Sequence, residues 1–381
     1  MKIVADNKIP FLKGAFEGIA EVVYLPGKEI SSKDVIDADA LLIRTRTKCD
    51  ANLLDGSSVK FIATATIGYD HIDIDYCKKN SISWTNAPGC NSSSVEQYIV
   101  SVLLKLAVIK GIDLSKKTLG IIGVGNVGSK VEKAAKALGM NVLLNDPPRS
   151  REEGDAKFVD IEKLKSQSNI ISLHIPFNLD GQDPTWKLAD MDFISSLKPG
   201  TILINTSRGE VVDNESLKYA IESKWIKTVV LDVWENEPEI DEELLKLVSI
   251  ASSHIAGYST DGKANGTSMS VQAISRFFKL GIDDWIPSGI DAPDNSLIVI
   301  DCTGLSKLEA IHDVYERSYN VLIDNELLKE NPDNFEKNRG DYRIRREPGA
   351  YSVRLNNNPY DDLGKILEDL GFSILSSEKL Y

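Results

Sequence analysis

Short apolar runs of strand length alternate with stretches of helical periodicity from the start of the chain. The first five such runs are KIVAD, AEVVYL, DALLIRT, VKFIATA and ISWTNA. Helical segments such as SSKDVIDA and DIDYCKKN lie between them. Strands that are separated by helices pair in parallel, because a parallel pair needs a long crossover connection. This part of the chain therefore predicts an α/β domain that closes near residue 90, and a long helix over residues 92–110 follows it.

A second alternating series follows that helix. Its apolar runs are KTLGIIGVG, MNVLLND, NIISLHI, GTILINTS, KTVVLDVW and VSIASSHIAG. Each run is apolar throughout, which is typical of a strand in a parallel sheet that is buried on both faces. Six strands with intervening helices are the number that a dinucleotide-binding sheet needs. The series therefore predicts a Rossmann-type, doubly wound α/β domain.

The pattern changes again after Gly257. TSMSVQAISRFFKLG has the apolar spacing of a helix, and the turn-rich IDDWIPSGIDAPDNS after it is typical of a linker. Beyond it lie the strand-like runs LIVIDCTG and AYSVRL, helical stretches and the basic segment RGDYRIRREPG. These last hundred residues predict a small α+β domain. Arg345 and Arg346 in the basic segment are expected to lie at a protein interface or on a solvated basic face of this domain.

The composition limits the classes of function. A length of 381 residues predicts two or three domains, and a net charge of −13 argues against nucleic-acid or anionic-membrane partners. The longest apolar segment, YIVSVLLKLAVI, has 12 residues and contains Lys105, so it predicts a buried helix and not a membrane span. Four scattered cysteines without metal-type spacing, and an N-terminus unlike a signal peptide, predict a cytoplasmic protein without a metal.

A glycine-rich turn follows the first strand of the second series. GIIGVGNVG contains the G-x-G-x-x-G pattern at Gly123, Gly125 and Gly128. The pattern alone is weak, because glycines in an apolar segment often serve close packing. Here a buried strand precedes it, a helix follows, and a second strand ends at Asp146, 18 residues after Gly128. This arrangement predicts a dinucleotide site, where backbone N–H groups at a helix N-terminus bind a pyrophosphate.

Asp146 also bears on the choice between the two nicotinamide cofactors. A carboxylate at this position binds the ribose hydroxyls of NAD and repels the 2′-phosphate of NADP. Arg149 and Arg151 lie just beyond it in DPPRSR and argue the other way, because an arginine can accept that phosphate. We expect NAD, with Arg149 lying against the adenine.

Three polar residues follow late strands of the second series, where ligands of open α/β sheets bind. Arg208 follows ILINTS, Glu237 follows VVLDVW, and His254 follows VSIAS. Each one alone is equally compatible with a surface charge or a packed loop residue, but the three together fit oxidation of a 2-hydroxy acid. Neutral imidazole can accept the hydroxyl proton, a guanidinium can hold the carboxylate, and a carboxylate behind the imidazole fixes its tautomer. Asp232, on the preceding strand, is expected to face the nicotinamide.

From Met1 to about Trp285 the chain resembles the D-isomer-specific 2-hydroxyacid dehydrogenase family. The matching segments are GIIGVGNVG, LINTSRGEVVD, LDVWENEP and SHIAG. The resemblance implies that Arg208 binds substrate, Glu237 tunes the pKa of the base, and His254 is the acid–base residue. It also implies a discontinuous, flavodoxin-like substrate domain (1–90 and 258–284), a Rossmann NAD domain (91–257) and a site in the cleft between them.

The resemblance extends to individual binding residues. The implied cofactor contacts are Gly123, Gly125, Asn126, Val127, Gly128, Asp146, Ile175, Thr206, Ser207, Arg208, Asp232 and Gly257. The implied substrate contacts are Thr45, Thr66 and Tyr258. Two residues depart from the pattern, because the relatives more often have serine at Thr45 and threonine at Ile175. Thr45 keeps a hydroxyl, whereas Ile175 can only use its backbone.

Further segments are similar to one branch of the family, which acts on a phosphorylated hydroxy acid. These segments are ATATIGYDHIDID, NAPGCNSSSVEQY, HIAGYSTDGKANGT and FEKNRGDYRIRRE. The similarity implies a substrate with a carboxylate and a phosphate, and a homodimer formed through a C-terminal domain over residues 285–381. Arg44 and Arg46 are the expected cations for the phosphate, although strand alternation could equally place both on a solvated face.

Two other functions stay open. A phosphoglycerate-type dehydrogenase would share the three polar residues and the need to bind both a carboxylate and a phosphate. An NAD(H)-sensing binding protein would share the glycine-rich turn. The basic RIRRE segment and the HIAGYS turn argue against the first alternative, and the net charge of −13 argues against the second.

Overall fold

The computed structural model describes residues 1–375. By internal contacts the chain divides into two compact units. The first unit consists of Met1–Asn91 and Ser259–Asp291. The second consists of Ser92–Tyr258 and Ala292–Tyr381, of which 376–381 lie outside the described residues. The first unit is thus built from two separate stretches of the chain.

The strands and helices of residues 1–375 are numbered in chain order. The strands are β1 (Lys2–Asp6), β2 (Glu21–Leu25), β3 (Ala40–Ile43), β4 (Phe61–Thr64), β5 (Ser83–Thr85), β6 (Thr118–Ile122), β7 (Asn141–Asn145), β8 (Ile170–Leu173), β9 (Ile202–Asn205), β10 (Thr228–Leu231), β11 (Ile250–Ala251), β12 (Leu297–Asp301), β13 (Ser352–Asn356) and β14 (Ser373–Ile374). The helices are α1 (Ser32–Val35), α2 (Ala51–Leu54), α3 (Ile74–Lys79), α4 (Ser92–Lys110), α5 (Asn126–Ala137), α6 (Pro147–Glu153), α7 (Ile161–Gln167), α8 (Met191–Ser195), α9 (Asn214–Glu222), α10 (Glu242–Leu247), α11 (Thr260–Phe278), α12 (Lys307–Ser318), α13 (Val321–Glu330), α14 (Phe335–Gly340) and α15 (Leu363–Asp369).

The first unit contains a five-stranded parallel sheet in the order β2-β1-β3-β4-β5. This is the flavodoxin-like order, as expected. Successive side chains of β3 pack on opposite faces, so Leu41 and Leu42 belong to two different apolar clusters. Helix α11 covers one face through Val271 and Ile274. It begins at Thr260, earlier than the predicted helix, because the side chain of Ser259 caps it by accepting a bond from the Gly262 N–H.

The second unit contains a six-stranded parallel sheet in the order β11-β10-β9-β8-β6-β7. Strands β8, β9 and β10 are buried at every residue, which confirms the predicted doubly wound sheet. The chain runs from β6 to β7 on one side and returns to β8 on the other, so the switch point of the sheet lies between β6 and β8. Helix α4 is long and apolar enough to cross a membrane, but most of its apolar stretch is buried in this unit.

Residues 292–375 pack against the Rossmann-type sheet and its helices, whereas the sequence predicted a separate domain from residue 285. Ile298 of β12 and Tyr315 of α12 belong to the same apolar cluster as Tyr98 and Leu103 of α4. The strands β12, β13 and β14 are all parallel, so this region is α/β and the predicted α+β class was wrong. The reason is that α12, α13 and α14 form the crossover between β12 and β13.

The position of Arg345 corrects a second expectation, because this residue is neither solvated nor at an exposed interface. Its side chain is 3% exposed, and its guanidinium lies 3.7 Å from the ring centroid of Tyr319. It donates hydrogen bonds to the side chain of Gln97 and to the carbonyl of Ser94, both on α4. Two further bonds go to the carbonyl oxygens of Ile255 and Ala256, at 3.4 and 3.2 Å. Arg345 therefore links the C-terminal region to the loop after β11.

We expect Arg345→Met to lower the free energy of unfolding by about 2–4 kcal/mol, because it leaves several buried acceptors without a donor. Urea denaturation followed by circular dichroism measures this change. Arg317→Met is the matched control, since Arg317 is exposed and bonds only the carbonyl of Val299 among the described contacts. Its effect should stay within about 0.5 kcal/mol. Equal effects of the two substitutions would contradict a structural role for Arg345.

Candidate active site

The glycine-rich turn joins β6 to α5 at the switch point of the sheet. Gly123 has a φ of +86°, and a Cβ there would lie 2.4 Å from the carbonyl oxygen of His174, after β8. A Cβ on Gly128 would lie 2.0 Å from the carbonyl oxygen of Gly123, so this glycine lets α5 approach the strand. A Cβ on Gly125 would meet nothing within 4 Å. Two glycines thus permit close packing, and the third leaves open space at the N-terminus of α5, as a pyrophosphate requires.

Asp146 follows β7 and connects its loop to the glycine-rich turn. Its carboxylate accepts bonds from the Val124 N–H at 2.7 Å and from the Arg149 N–H at 3.1 Å, and so it caps α6. Arg149 itself pairs with Glu153 and bonds the carbonyl of Val124. The carboxylate is therefore held beside the turn, where the fingerprint requires its acidic residue.

The remaining predicted cofactor residues lie at the same edge of the sheet. Asn126 and Val127 are the first residues of α5, and Asn126 is exposed. Ile175 lies over Gly123, since a Cβ on that glycine would come within 2.7 Å of an Ile175 methyl group. Thr206 and Ser207 follow β9, and Gly257 follows the loop after β11. Because β6, β8 and β9 are neighbours, their carboxyl ends bring these residues to one crevice, apart from Gly257.

Arg208, Glu237 and His254 come together at one cavity of the second unit, of about 390 Å3. The Nδ1 atom of His254 lies 2.7 Å from Oε2 of Glu237. The other carboxylate oxygen of Glu237 accepts a bond from the Trp234 N–H at 2.9 Å. The cavity is lined by Trp186, Arg208, Gly209, Glu210, Trp234, Glu235, Asn236, Glu237 and His254. The side chains of His254 and Glu237 keep 31% and 18% of their area exposed, so the pair is accessible to a small molecule.

The backbone of His254 has a φ of +54°, in the left-handed region that residues other than glycine seldom adopt. Such a conformation costs about 1 kcal/mol and persists where surrounding contacts enforce it. Here the His254 N–H donates to the carbonyl of Asp232 at 2.7 Å. The carboxylate of Asp232 accepts from the Ile255 and Ala256 N–H groups and from the Ser252 hydroxyl. The loop is thus fixed by Asp232, and the imidazole with it.

Asp232 was predicted to face the nicotinamide. In the structure, both of its carboxylate oxygens accept hydrogen bonds from the loop after β11. It is 1% exposed, and this burial raises the pKa of its carboxyl group. A positioning role of this kind has no local sequence signal, because the donors lie 20 to 24 residues away. A contact of Asp232 with the cofactor stays a prediction.

Arg208 is positioned by two residues that sequence reasoning missed. Asn205 donates to the carbonyl of Arg208 at 2.8 Å and accepts from the Ser207 N–H and hydroxyl. Gly209 lies so close to the next loop that a Cβ there would be 1.9 Å from the carbonyl carbon of Trp234. The signal was present in the NTSRGE segment, since a glycine directly after a functional residue often marks a close backbone approach.

Tyr258 lies just after the His254 loop and contacts the C-terminal region. Its hydroxyl accepts a bond from Nη2 of Arg339 at 3.2 Å, and its ring packs edge-on against Tyr342 at 5.9 Å. The structure therefore places this predicted substrate residue beside α14, which the sequence did not indicate.

The predicted substrate residues of the first unit lie in the loops after β3 and β4. Thr45 and Arg46 are exposed, and Arg44 is half-buried and donates to the carbonyl of Lys8. The hydroxyl of Thr66 lies 2.7 Å from that of Thr64 and donates to the carbonyl of Gly68. Burial and the charge of Arg44 lower the pKa of Lys263 on α11. A cluster of hydroxyl groups and cations thus follows these two strands.

The other three histidines have different environments. His174 contacts Ser172 and Thr206, and burial lowers its pKa to about 3. His71 lies against Thr64 in the first unit, where burial also lowers its pKa. His312 lies within α12 and is buried. Among the four, His254 combines a carboxylate partner at 2.7 Å with a position on the cavity.

Comparison with known proteins agrees with this geometry. The sequence profile of the "D-isomer specific 2-hydroxyacid dehydrogenase, NAD binding domain" matches residues 97–256. The chain is 49% identical over 354 residues to an erythronate-4-phosphate dehydrogenase from Bacteroides fragilis, covering 93% of this chain and 99% of the relative. It is 39% identical to an erythronate-4-phosphate dehydrogenase from Hahella chejuensis, covering 99% and 100% of the two chains.

Solved structures of similar fold include NAD-bound dehydrogenases. The D-lactate dehydrogenase from Aquifex aeolicus, in complex with NAD and lactic acid, has a TM-score of 0.59 at 26% identity, covering 74% of this chain and 97% of that one. The NAD-bound 3-phosphoglycerate dehydrogenase from Entamoeba histolytica has a TM-score of 0.61 at 27% identity, covering 76% and 99%. The predictions of an NAD-dependent dehydrogenase and of NAD as the cofactor are confirmed. The chain belongs to the D-isomer specific 2-hydroxyacid dehydrogenase family.

Proposed function

We propose that this protein oxidises 4-phospho-D-erythronate to 2-oxo-3-hydroxy-4-phosphobutanoate with NAD, a step of pyridoxine 5′-phosphate biosynthesis. The names of relatives that are 39–50% identical over most of the chain support the substrate. The observation that carries the reaction type is the 2.7 Å contact between His254 and Glu237, on the cavity that Arg208 also lines.

His254 is the base that removes the hydroxyl proton at C2. Its Nδ1–H donates to Glu237, so Nε2 carries the lone pair that accepts the proton. Glu237 keeps the ring in this tautomer and stabilises the imidazolium that forms. Its own orientation is fixed by the Trp234 N–H. The carboxylate therefore supports the base without touching the substrate.

Arg208 binds the substrate carboxylate and polarises the oxygen at C2. A guanidinium suits both tasks, because its planar donors match a carboxylate and its charge stabilises a developing carbonyl. One of its nitrogens donates to the Ser207 carbonyl at 2.7 Å, which limits the motion of the side chain. Backbone groups at Gly125, Asn126 and Val127 would hold the pyrophosphate of NAD, which would supply the acceptor for the hydride at C2.

Preference for NAD over NADP is supported by the charges after β7. The Asp146 carboxylate disfavours a 2′-phosphate, and the two arginines that argued for NADP are engaged elsewhere. Arg149 pairs with Glu153 at 2.6 Å, and Arg151 pairs with Asp183. Neither guanidinium is thus an unpaired cation for a second phosphate.

Homodimerisation through the C-terminal region and a cytoplasmic location are further parts of the proposal. One face of β12 is exposed, with Leu297 and Val299 on it, and an exposed apolar face of this kind favours a partner. Four free cysteines favour a reducing compartment. For the substrate phosphate, Arg44 and Arg46 are the proposed cations in the first unit, beside Thr45 and Thr66.

The first prediction concerns the substrate. Reduction of NAD, followed by absorbance at 340 nm, should be at least about a hundredfold more efficient in kcat/KM with 4-phosphoerythronate than with 3-phosphoglycerate. A site that fits one carbon-chain length loses about 3 kcal/mol of transition-state binding energy with a substrate of another length. 3-Phosphoglycerate is the comparison because a dehydrogenase of that type shares the fold. A preference for 3-phosphoglycerate would replace the proposed substrate and leave the reaction type standing.

His254→Ala should reduce kcat by about a thousandfold or more, because the proton at C2 then has no positioned acceptor. Binding of NADH should change less than about threefold, and fluorescence titration of NADH measures it. His312→Ala is a comparison variant, since His312 lies on α12 and not on the cavity. Full turnover by the His254 variant would rule out its role as the base.

Glu237→Gln should lower kcat by about tenfold or more. The neutral amide no longer stabilises the imidazolium that forms on His254, and it fixes the tautomer of the ring less well. Steady-state kinetics at saturating NAD measures this change. Glu239→Gln removes an exposed charge two residues away and should leave kcat in place. If both variants matched the wild type, Glu237 would have no part in supporting the base.

A further inference from the structure

The C-terminal region brings an arginine to Tyr258, four residues after His254. Arg339 lies on α14, and its Nη2 donates to the Tyr258 hydroxyl at 3.2 Å. Its guanidinium lies 5.7 Å from the ring centroid of Tyr258 and 6.0 Å from that of Phe335. Glu336 holds the Nη1 atom at 2.9 Å. The planar group is thus fixed between two rings and a carboxylate.

The charge of this guanidinium reaches the catalytic pair. Burial lowers the pKa of Arg339, but the nearby groups of Tyr258, Glu237 and Glu336 together raise it above its usual value. The charge of Arg339 therefore acts on the carboxylate of Glu237. Nε of Arg339 is buried, and no hydrogen-bond partner for it is present among the described residues. A buried N–H donor without a partner is costly in a folded protein, and an oxygen of a bound ligand or water can satisfy it.

The cavity that Glu237 lines is poor in positive charge. Its lining contains three glutamates, Glu210, Glu235 and Glu237, and a single arginine, Arg208. A substrate with a carboxylate and a phosphate brings about three negative charges into this field. A second fixed cation next to Glu237 offsets part of that repulsion.

The hydrogen bond from Arg339 also determines what Tyr258 can do. Because the phenol oxygen accepts from a guanidinium, the phenol is polarised as a hydrogen-bond donor. A donor is what an anionic substrate oxygen needs. Lysine at position 339 would keep the charge and could donate to the phenol, but it could not stack as a planar group.

We propose that Arg339 is a positioning residue of the active site, which orients Tyr258 as a hydrogen-bond donor to an oxygen of the anionic substrate. This assignment rests on the proposed function only in taking the substrate to be an anionic hydroxy acid. It gives the C-terminal region a part in substrate recognition through Tyr258, beyond any part in assembly.

The test is a double-mutant cycle with Arg339→Gln and Tyr258→Phe, measured with whichever hydroxy acid the wild type turns over most efficiently. Each single variant should raise the KM for the hydroxy acid about tenfold, the size of one hydrogen bond to a charged group, with the KM for NAD changed less than twofold. The double variant should be no worse than the poorer single variant. Arg339→Lys should recover at least about a third of the loss.

Lys337→Gln is the matched control, because it removes an exposed positive charge from the same helix and should leave both KM values unchanged. Multiplying effects in the double variant would overturn the coupling to Tyr258. Equal changes in the two KM values would overturn the role in substrate recognition. If Arg339→Gln does not fold, Arg339→Lys decides: a KM for the hydroxy acid that rises about two- to fivefold, with kcat and the KM for NAD unchanged, supports the proposal. An unchanged KM for the hydroxy acid, with or without a loss of kcat, contradicts it. A wild type that does not turn over 4-phosphoerythronate overturns the proposed substrate alone.

Discussion

Two buried residues of opposite charge, Asp232 and Arg345, both bind the five-residue loop 252–256, and the active site depends on this arrangement. Asp232 accepts from the N–H groups of Ile255 and Ala256, and Arg345 donates to the carbonyl oxygens of the same two residues. The N–H and carbonyl groups of Ile255 and Ala256 are therefore satisfied without regular secondary structure. This permits the left-handed conformation at His254, which in turn sets the direction of the imidazole toward Glu237.

The two residues come from different parts of the chain, and the bonds of Arg345 add to the apolar contacts that pack residues 292–375 against the Rossmann-type sheet and its helices. The guanidinium of Arg345 lies between this loop and α4, and it also bonds the side chain of Gln97 and the carbonyl of Ser94 on that helix. Ser94 also binds Glu347 at 2.8 Å. Helix α4 therefore has two functions. Its apolar side chains pack in the core of the second unit, and its polar groups at Ser94 and Gln97 bind Arg345 and Glu347 of the C-terminal region. The twelve-residue apolar run around Lys105 is consistent with this position, because Lys105 pairs with Glu316 of α12.

Most of the architecture could be predicted from the sequence because it depends on local pattern. The strands of the five- and six-stranded sheets fall within apolar runs, and Arg208, Glu237 and His254 lie in the loops that follow strands β9, β10 and β11. The parts that could not be predicted depend on pairing over long distances. The bond of Arg345 to Ile255 spans 90 residues, and a run such as RIRRE looks solvated when its acceptors are unknown. In the sequence, the C-terminal strands resemble those of an α+β domain. Their parallel pairing becomes visible only in the structure, where helices α12–α14 form the crossover between β12 and β13.

The dependence of the catalytic loop on Arg345 has a consequence for how such a chain diverges. A C-terminal extension that meets its neighbour only through a flexible tether can be lost, exchanged or duplicated by recombination at little cost. Here the extension supplies a buried guanidinium that bonds the carbonyl oxygens of Ile255 and Ala256, so its loss would leave acceptors of the catalytic loop without a donor. A graft of this region onto another dehydrogenase would therefore have to bring the contacts of Gln97 and Ser94 on helix α4 as well.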